Sequence, residues 1–280
     1  MQLKIFLTCL FLTLKPLLSQ TVSIERFIPL KINVNDFSIN ENKNFIILIS
    51  NETNEVIKIN LDGEIQKIIG GFGWSESQFD YPSSITSTAI EIYVADFNNH
   101  RIQRFDHNLN FISSLSSSDN IKFEYPISIT LSSKGDLYIL DSKNKKVLKI
   151  NSFKKLERVF GNYESGNVIL AEPKLIKLDS SQRIYVLDKD QILVFDEFGS
   201  FIKKIPIPEK LKNEIVDFQV YQNSIYFLTE RNLYEFKNEL TQIFIDNEMI
   251  CDSKFKKFEI KLNKIYLLTD RGILICKKEN

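Results

Sequence analysis

Acidic side chains recur at matching places in this chain. Asp96, Asp141 and Asp188 each end a short apolar run: Ile92-Tyr93-Val94-Ala95-Asp96, Leu137-Tyr138-Ile139-Leu140-Asp141 and Ile184-Tyr185-Val186-Leu187-Asp188. A ring of carboxylates could hold a metal ion. A carboxylate at the end of a strand can also accept hydrogen bonds from the backbone N–H groups of the turn that follows. Recurrence favours the second role, because a residue present in several units marks no unique site. Four other acids, Asp36, Asp179, Asp217 and Glu259, lie on the segments that precede such runs. A hard cation such as calcium needs about six oxygen ligands. Sequence does not show whether these acids converge, so a metal-dependent hydrolase or lyase stands as the alternative reading. The first reading calls for no cofactor.

Other catalytic signatures are missing. The chain has two histidines, His100 and His107, and three cysteines, Cys9, Cys251 and Cys276. It contains no G-x-S-x-G, H-E-x-x-H or C-x-x-C, and no strand–helix unit follows Gly70-Gly71-Phe72-Gly73 as a phosphate-binding loop requires. Thirty-six basic groups balance 36 acidic ones. Affinity for nucleic acid rests on excess positive charge, so no nucleic-acid partner is expected.

The elements that would position these residues are strands. The aliphatic-Tyr motif returns as Ile225-Tyr226-Phe227-Leu228-Thr229 and Ile265-Tyr266-Leu267-Leu268-Thr269, with a degenerate first copy at Ile46-Ile47-Leu48-Ile49-Ser50. From position 47 the spacings are 46, 45, 47, 41 and 40. A second alternating run follows each copy, such as Ile102-Gln103-Arg104-Phe105, and a third follows most of them, such as Phe111 to Leu115. A fourth precedes the Tyr run, as in Ser83 to Thr86. β-Branched and aromatic residues bounded by Asn, Asp, Gly and Ser read as strands. Four strands per unit at this period predict an all-β, six-bladed β-propeller with four-stranded antiparallel blades. The sixth unit lacks its own fourth strand. Residues 22–29 (VSIERFIP) are expected to supply it, completing the last blade and closing the ring.

The N-terminus reads as an address. A short basic start precedes the uncharged run Ile5 to Leu14, which Lys15-Pro16 breaks. A membrane-spanning helix needs about 20 apolar residues, and this run is shorter. It matches a secretory signal peptide over residues 1–20, cleaved near Ser19-Gln20. Retention as an anchor is the competing reading. The expectation is an extracytoplasmic chain, periplasmic or secreted, with a propeller over 21–280, no transmembrane domain once mature, and a monomeric state.

The second unit resembles the NHL repeat. The resemblance runs from Gly70-Gly71-Phe72-Gly73 through Phe79, Pro82 and Ile92-Tyr93-Val94-Ala95-Asp96 to Asn99-His100-Arg101-Ile102-Gln103-Arg104-Phe105-Asp106. The third unit follows it less closely, with Phe123-Glu124-Tyr125-Pro126. The resemblance implies a six-bladed propeller and no particular activity. It also accounts for His100, and Arg101 is expected to pair within its turn.

Binding residues are sought among those that do not recur. The connections between units and the turns after the Tyr strands should share one face of the ring. That face would carry Phe72, Trp74, Asp80 and Tyr81, then Asn98 and His100, then Lys122, Glu124 and Tyr125, then Tyr163 and Glu164. Aromatic, polar loops on a rigid scaffold suit a protein, peptide or glycan partner. Trp74 could instead pack onto its own blade.

Overall fold

A computed structural model describes residues 20–117, 121–152, 154–163, 168–245 and 252–278. The signal-peptide reading of residues 1–20 falls almost wholly outside these, and so does Glu164.

Alternating apolar runs become strands throughout. The chain opens with β1 (Gln20–Pro29). Four quartets follow, each a separate four-stranded antiparallel sheet with its strands in sequence order. The first is β2 (Asp36–Asn40), β3 (Phe45–Ser50), β4 (Glu55–Asn60) and β5 (Ile65–Gly70). The second is β6 (Pro82–Ser87), β7 (Glu91–Asp96), β8 (Arg101–Asp106) and β9 (Phe111–Ser116). The third is β10 (Pro126–Leu131), β11 (Leu137–Asp141), β12 (Lys146–Ile150) and β13 (Leu156–Phe160). The fourth is β14 (Pro173–Leu178), β15 (Ile184–Asp188), β16 (Gln191–Phe195) and β17 (Phe201–Pro206). The remaining strands are β18 (Ile215–Tyr221), β19 (Ser224–Thr229), β20 (Leu233–Phe236), β21 (Leu240–Ile245), β22 (Phe255–Lys261), β23 (Lys264–Thr269) and β24 (Gly272–Lys278).

Hydrogen bonding joins these last strands with β1 into one sheet of eight, ordered β18-β19-β20-β21-β1-β24-β23-β22. The separate sheets therefore number five. The cause is β1, which pairs twice. Residues Val22 to Pro29 run antiparallel to β24, with Ile28 opposite Ile273. Gln20 to Val22 run parallel to β21, with Val22 opposite Ile245. The pairing with the last unit matches the expectation for residues 22–29. The parallel contact carries no signal in the sequence.

The innermost strands touch one another in the order β2, β6, β10, β14, β18, β22, and β22 touches β2 again. Pro82, Pro126 and Pro173 open three of them, a place where the missing N–H is tolerated. The core is divided among the seams between neighbouring quartets. Phe79 packs with Phe45 and Ile47 of the first quartet and Ile92 of the second. Tyr93 packs among Phe123, Ile129 and Leu137 of the third. Tyr138 and Tyr185 do the same one quartet further on. The tyrosine hydroxyls find carboxylates: Tyr93 donates to Glu91 at 2.6 Å, Tyr185 to Asp179 at 3.1 Å and Tyr226 to Glu235 at 2.9 Å.

One seam joins the two ends of the chain. Ile28 of β1 packs with Phe37, Ile57 and Ile59 of the first quartet and with Leu268 and Ile273. Truncating a buried isoleucine loses transfer free energy and leaves a cavity, together about 2–5 kcal/mol. Ile28→Ala should therefore lower the unfolding free energy, measured by chemical denaturation, by an amount in that range. Arg26→Ala removes an exposed ion pair to Asp62 and an exposed hydrogen bond to the Leu61 carbonyl, and should cost about 1 kcal/mol.

Candidate functional site

The inter-quartet loops and the turns after the second strands meet at one end of the sheets. Phe97 N–H donates to the Tyr81 carbonyl and Asn98 N–H to that of Asp80, and Ser142 N–H donates to the Tyr125 carbonyl. The recurrent aspartates hold this meeting together. Asp96 is fully buried and accepts the Asp80 N–H at 2.8 Å. Asp141 accepts from Glu124 N–H and Asn144 N–H, and Asp188 from Ala171 and Glu172 N–H. The expected backbone capping of the following turn is met at Asp141, through Asn144 N–H, whereas Asp96 takes side-chain donors from that turn, Asn99 and Arg101. All three hold the loop that arrives from the preceding quartet.

Arg101 fixes the longest of these loops. Its Nε donates to Asp96 at 2.7 Å, the expected pairing. Its two terminal nitrogens reach further, to the carbonyls of Trp74, Ser75 and Gln78. Gln103, fully buried, adds a bond to the Gln78 carbonyl and accepts the Ser77 N–H. Asn99 donates to the Gly73 carbonyl. The backbone from Gly73 to Gln78 is thus pinned at six points, while the side chains of Phe72 and Trp74 remain 68% and 76% exposed. Trp74 does not pack onto its own blade.

Beside this loop lies a row of rings. Tyr81 meets Phe97 edge-on at 5.7 Å, Phe97 meets Tyr125 at 5.0 Å, and Tyr125 meets His100 edge-on at 4.3 Å. Lys143 stands 5.9 Å from the Tyr125 ring. Tyr81 and Tyr125 both adopt left-handed backbone angles, φ 60° and 50°, which a bulky residue keeps only when its surroundings impose them. They do: Asn54 Oδ1 accepts the Tyr81 N–H at 2.7 Å, and His100 Nδ1 accepts the Tyr125 N–H at 3.1 Å. His100 thus does in its turn what Asn54 does one quartet earlier. Asp80 takes a bond from the Asn98 amide at 2.9 Å.

The structure thus gathers Asp80, Tyr81, Asn98, His100 and Tyr125, with Phe72 and Trp74 on the adjoining loop. Glu124 is tied to its neighbours through its backbone. Lys122 lies on the same connection. Tyr163 belongs to the next loop and is 84% exposed. Asn54, Gln103 and Lys143 escaped sequence reasoning, although Asn54 sits one unit before His100 in the same register.

The channel between the innermost strands is the other candidate. A side-chain oxygen on one strand accepts a backbone N–H from the next: Asp36 from Ile85, Ser84 from Ile129, Ser128 from Ile176 and Asp217 from Phe258, all at 3.2–3.3 Å. Asp217 also faces Lys177 at 3.2 Å and Lys257 at 3.8 Å. Burial pushes the Asp36 carboxyl up from its ordinary value, against the pull of Lys257 and Lys177. Burial alone would push the Lys257 ammonium down, but the charges of Asp217 and Asp36 outweigh it and the net direction is up. Asp179 instead pairs with Arg183, and Glu259 with Lys261. Among the described residues no group of three or more His, Cys, Asp or Glu side chains could hold a metal ion.

Comparison with known proteins fits this geometry. The NHL repeat matches residues 79–105, the stretch from the Phe79 seam plug to the end of the Arg101 strand. "Protein brain tumor" of Drosophila melanogaster is 29% identical over 151 residues, 51% of this chain and 14% of that protein. The chain therefore matches only a small part of that relative's length. Among solved structures, virginiamycin B lyase from Staphylococcus aureus, as an inactive variant with quinupristin, superposes with a TM-score of 0.63 at 12% identity, covering 91% of this chain and 99% of that one. A streptogramin B lyase gives 0.61 at 10% identity, covering 91% and 97%. At such identities the likeness is one of fold.

This geometry makes three variants informative. Arg101→Lys cannot reach three carbonyls and Asp96 together, so limited proteolysis should cut the variant between residues 73 and 78 at least tenfold faster than the parent chain. In the channel, Asp217→Asn leaves Lys177 and Lys257 without their facing carboxylate and should cost about 3–5 kcal/mol. Asp36→Asn keeps only one of the two acceptor bonds, because Phe37 N–H and Ile85 N–H donate to different carboxylate oxygens, and should destabilise at pH 7 by about 1–3 kcal/mol. Because the folded carboxyl is raised, its ionisation weakens folding as pH rises from the unfolded value toward the folded one. The deficit of Asp36→Asn relative to the parent chain should therefore widen on acidification toward pH 4, where the parent carboxyl is protonated and its ionisation cost is gone, as thermal melts can show.

Proposed function

This chain carries an NHL repeat and folds as a β-propeller, and we propose that it is an exported, six-bladed one that binds a protein, peptide or glycan partner through its interblade-loop face without catalysing a reaction. Six blades are supported by the cyclic contact of the innermost strands and by apolar clusters at successive seams. On this reading the eight-stranded sheet is two blades fastened at their outer edges by β1. The mature chain, 21–280, would act outside the cytoplasm as a monomer, with no nucleic-acid partner and no cofactor.

The observation that carries the binding reading is Trp74. A tryptophan this exposed adds nothing to its own core, yet its carbonyl is held by Arg101 and the rest of its loop by Gln103 and Asn99. Rigid display of a large aromatic lowers the ordering cost of association, and such residues dominate interface energetics. The row Tyr81–Phe97–Tyr125 extends the same surface. A lyase-like reaction in the channel has less support, because Asp36 and Asp217 are engaged by strand N–H groups and lysines.

The test is a capture experiment with residues 21–280 immobilised, run against envelope extract and a glycan array. A specific partner should be retained, and the Trp74→Ala/Tyr125→Ala double variant should lose it at least tenfold with an unchanged melting temperature. Full retention by the double variant would sink the assignment of the loop face.

A further inference from the structure

Side-chain packing at the end of the ring away from the loops differs between seams. The turn joining third and fourth strands docks on the preceding unit in each of the first four quartets. In the first, the Leu61 carbonyl and Asp62 accept Arg26 of β1. In the second, Leu109 enters the cluster around Phe45 and Ile47, and the His107 carbonyl accepts Lys58. In the third, Lys154 donates to the Tyr93 hydroxyl. In the fourth, Glu197 pairs with Lys134 at 2.7 Å. The corresponding turn after β20 is only Lys237-Asn238-Glu239. Among the described residues no hydrogen bond or ion pair joins it to the fourth quartet.

A second difference falls at the same seam. The third strand places a long cation opposite the recurrent tyrosine in the second and third quartets: Arg104 opposite Tyr93 and Lys149 opposite Tyr138. Each is neutralised there, Arg104 by Glu91 and Lys149 by Asp136 and Glu157. In the fourth quartet the residue opposite Tyr185 is Val194. Above the short turn after β20, a cavity of about 290 Å³ lies at this seam, against Tyr185 and Lys203. Ile205, Val220, Ile225 and Phe236 line its apolar part, and Arg183, Lys203 and Lys237 its polar part. Arg183 has Asp179 as counter-charge at 2.7 Å. Lys203 and Lys237 have no acidic partner among the described residues.

We infer that this seam is a second binding site, for a small anion with an apolar body, such as an aromatic or branched carboxylate or sulfonate. Its volume sits at the lower edge of the usual range for small-molecule pockets, about 300–1,000 Å³. Apolar walls take the body of the ligand, and the two lysines supply the charge complement that other seams find within the protein. The occupant would bridge the fourth and fifth units where the protein's own lacing stops. This site is independent of the loop face, which lies at the other end of the sheets.

The probe is 1-naphthalenesulfonate, titrated by calorimetry against the full chain, with 1-naphthol as neutral analogue. Saturable binding at one site per chain is expected, weaker for the naphthol and weakened by salt. The surface double variant Lys203→Glu/Lys237→Glu should bind at least tenfold more weakly while keeping its melting temperature. Trp74→Ala/Tyr125→Ala should bind the probe like the parent chain. Lack of saturation up to millimolar probe, equal affinity for the naphthol, or retained affinity in the lysine variant would each overturn the inference.

Discussion

Closure of a ring by its own first strand is the constraint on which the rest depends. Each four-stranded unit of this protein is small and buries its apolar faces only against neighbours, so a ring open at one seam would expose two of them. β1 removes that exposure by pairing with β24 and sending Ile28 into the seam with the first quartet. Its first residues then pair with β21, which covers an outer edge that would otherwise present unpaired backbone groups. Because the ring is fixed in this way, every loop emerges at a defined angle, and the loop face can be a surface rather than a set of independent segments.

Much of this was legible because repetition exposes itself. The Ile-Tyr-Val-Ala-Asp pattern and its relatives gave strand positions, sheet order and the pairing of residues 22–29 without any contact information. The separation into five hydrogen-bonded sheets was not legible, since the parallel contact of Gln20 to Val22 has no distinctive residues. At the loop face, the pairing of Arg101 with Asp96 follows from a spacing of five along a hairpin. Its reach to the carbonyls of residues 74 to 78 does not, because a backbone acceptor leaves no trace in residue type. Lys177 and Lys257 were missed for a related reason. A lysine in an alternating strand looks solvent-facing, and only the topology shows that the face in question is the channel.

The two candidate regions differ in how their polar groups are employed. In the channel, Asp36, Ser84, Ser128 and Asp217 bind the N–H of the next innermost strand and thereby set the spacing of the ring. Charges there are matched within the protein. On the loop face the polar groups are spent on backbone too, but the result is to leave rings of Phe72, Trp74 and Tyr81 free of the core. One region uses polarity to hold the sheets together, and the other uses it to hold aromatic surface out.

The placement of β1 also bears on how the chain comes into being. Gln20 to Pro29 leave the ribosome first among the described residues, yet their partners at Gly272 to Lys278 are made about 250 residues later. At about 5–20 residues per second, the opening segment waits roughly 10–50 s for its mate. Throughout that interval Ile28 can reach its partners Phe37, Ile57 and Ile59 of the first quartet but not Leu268 and Ile273, and the antiparallel edge of β1 waits for β24. The leading strand thus completes its packing only when the last strand is delivered.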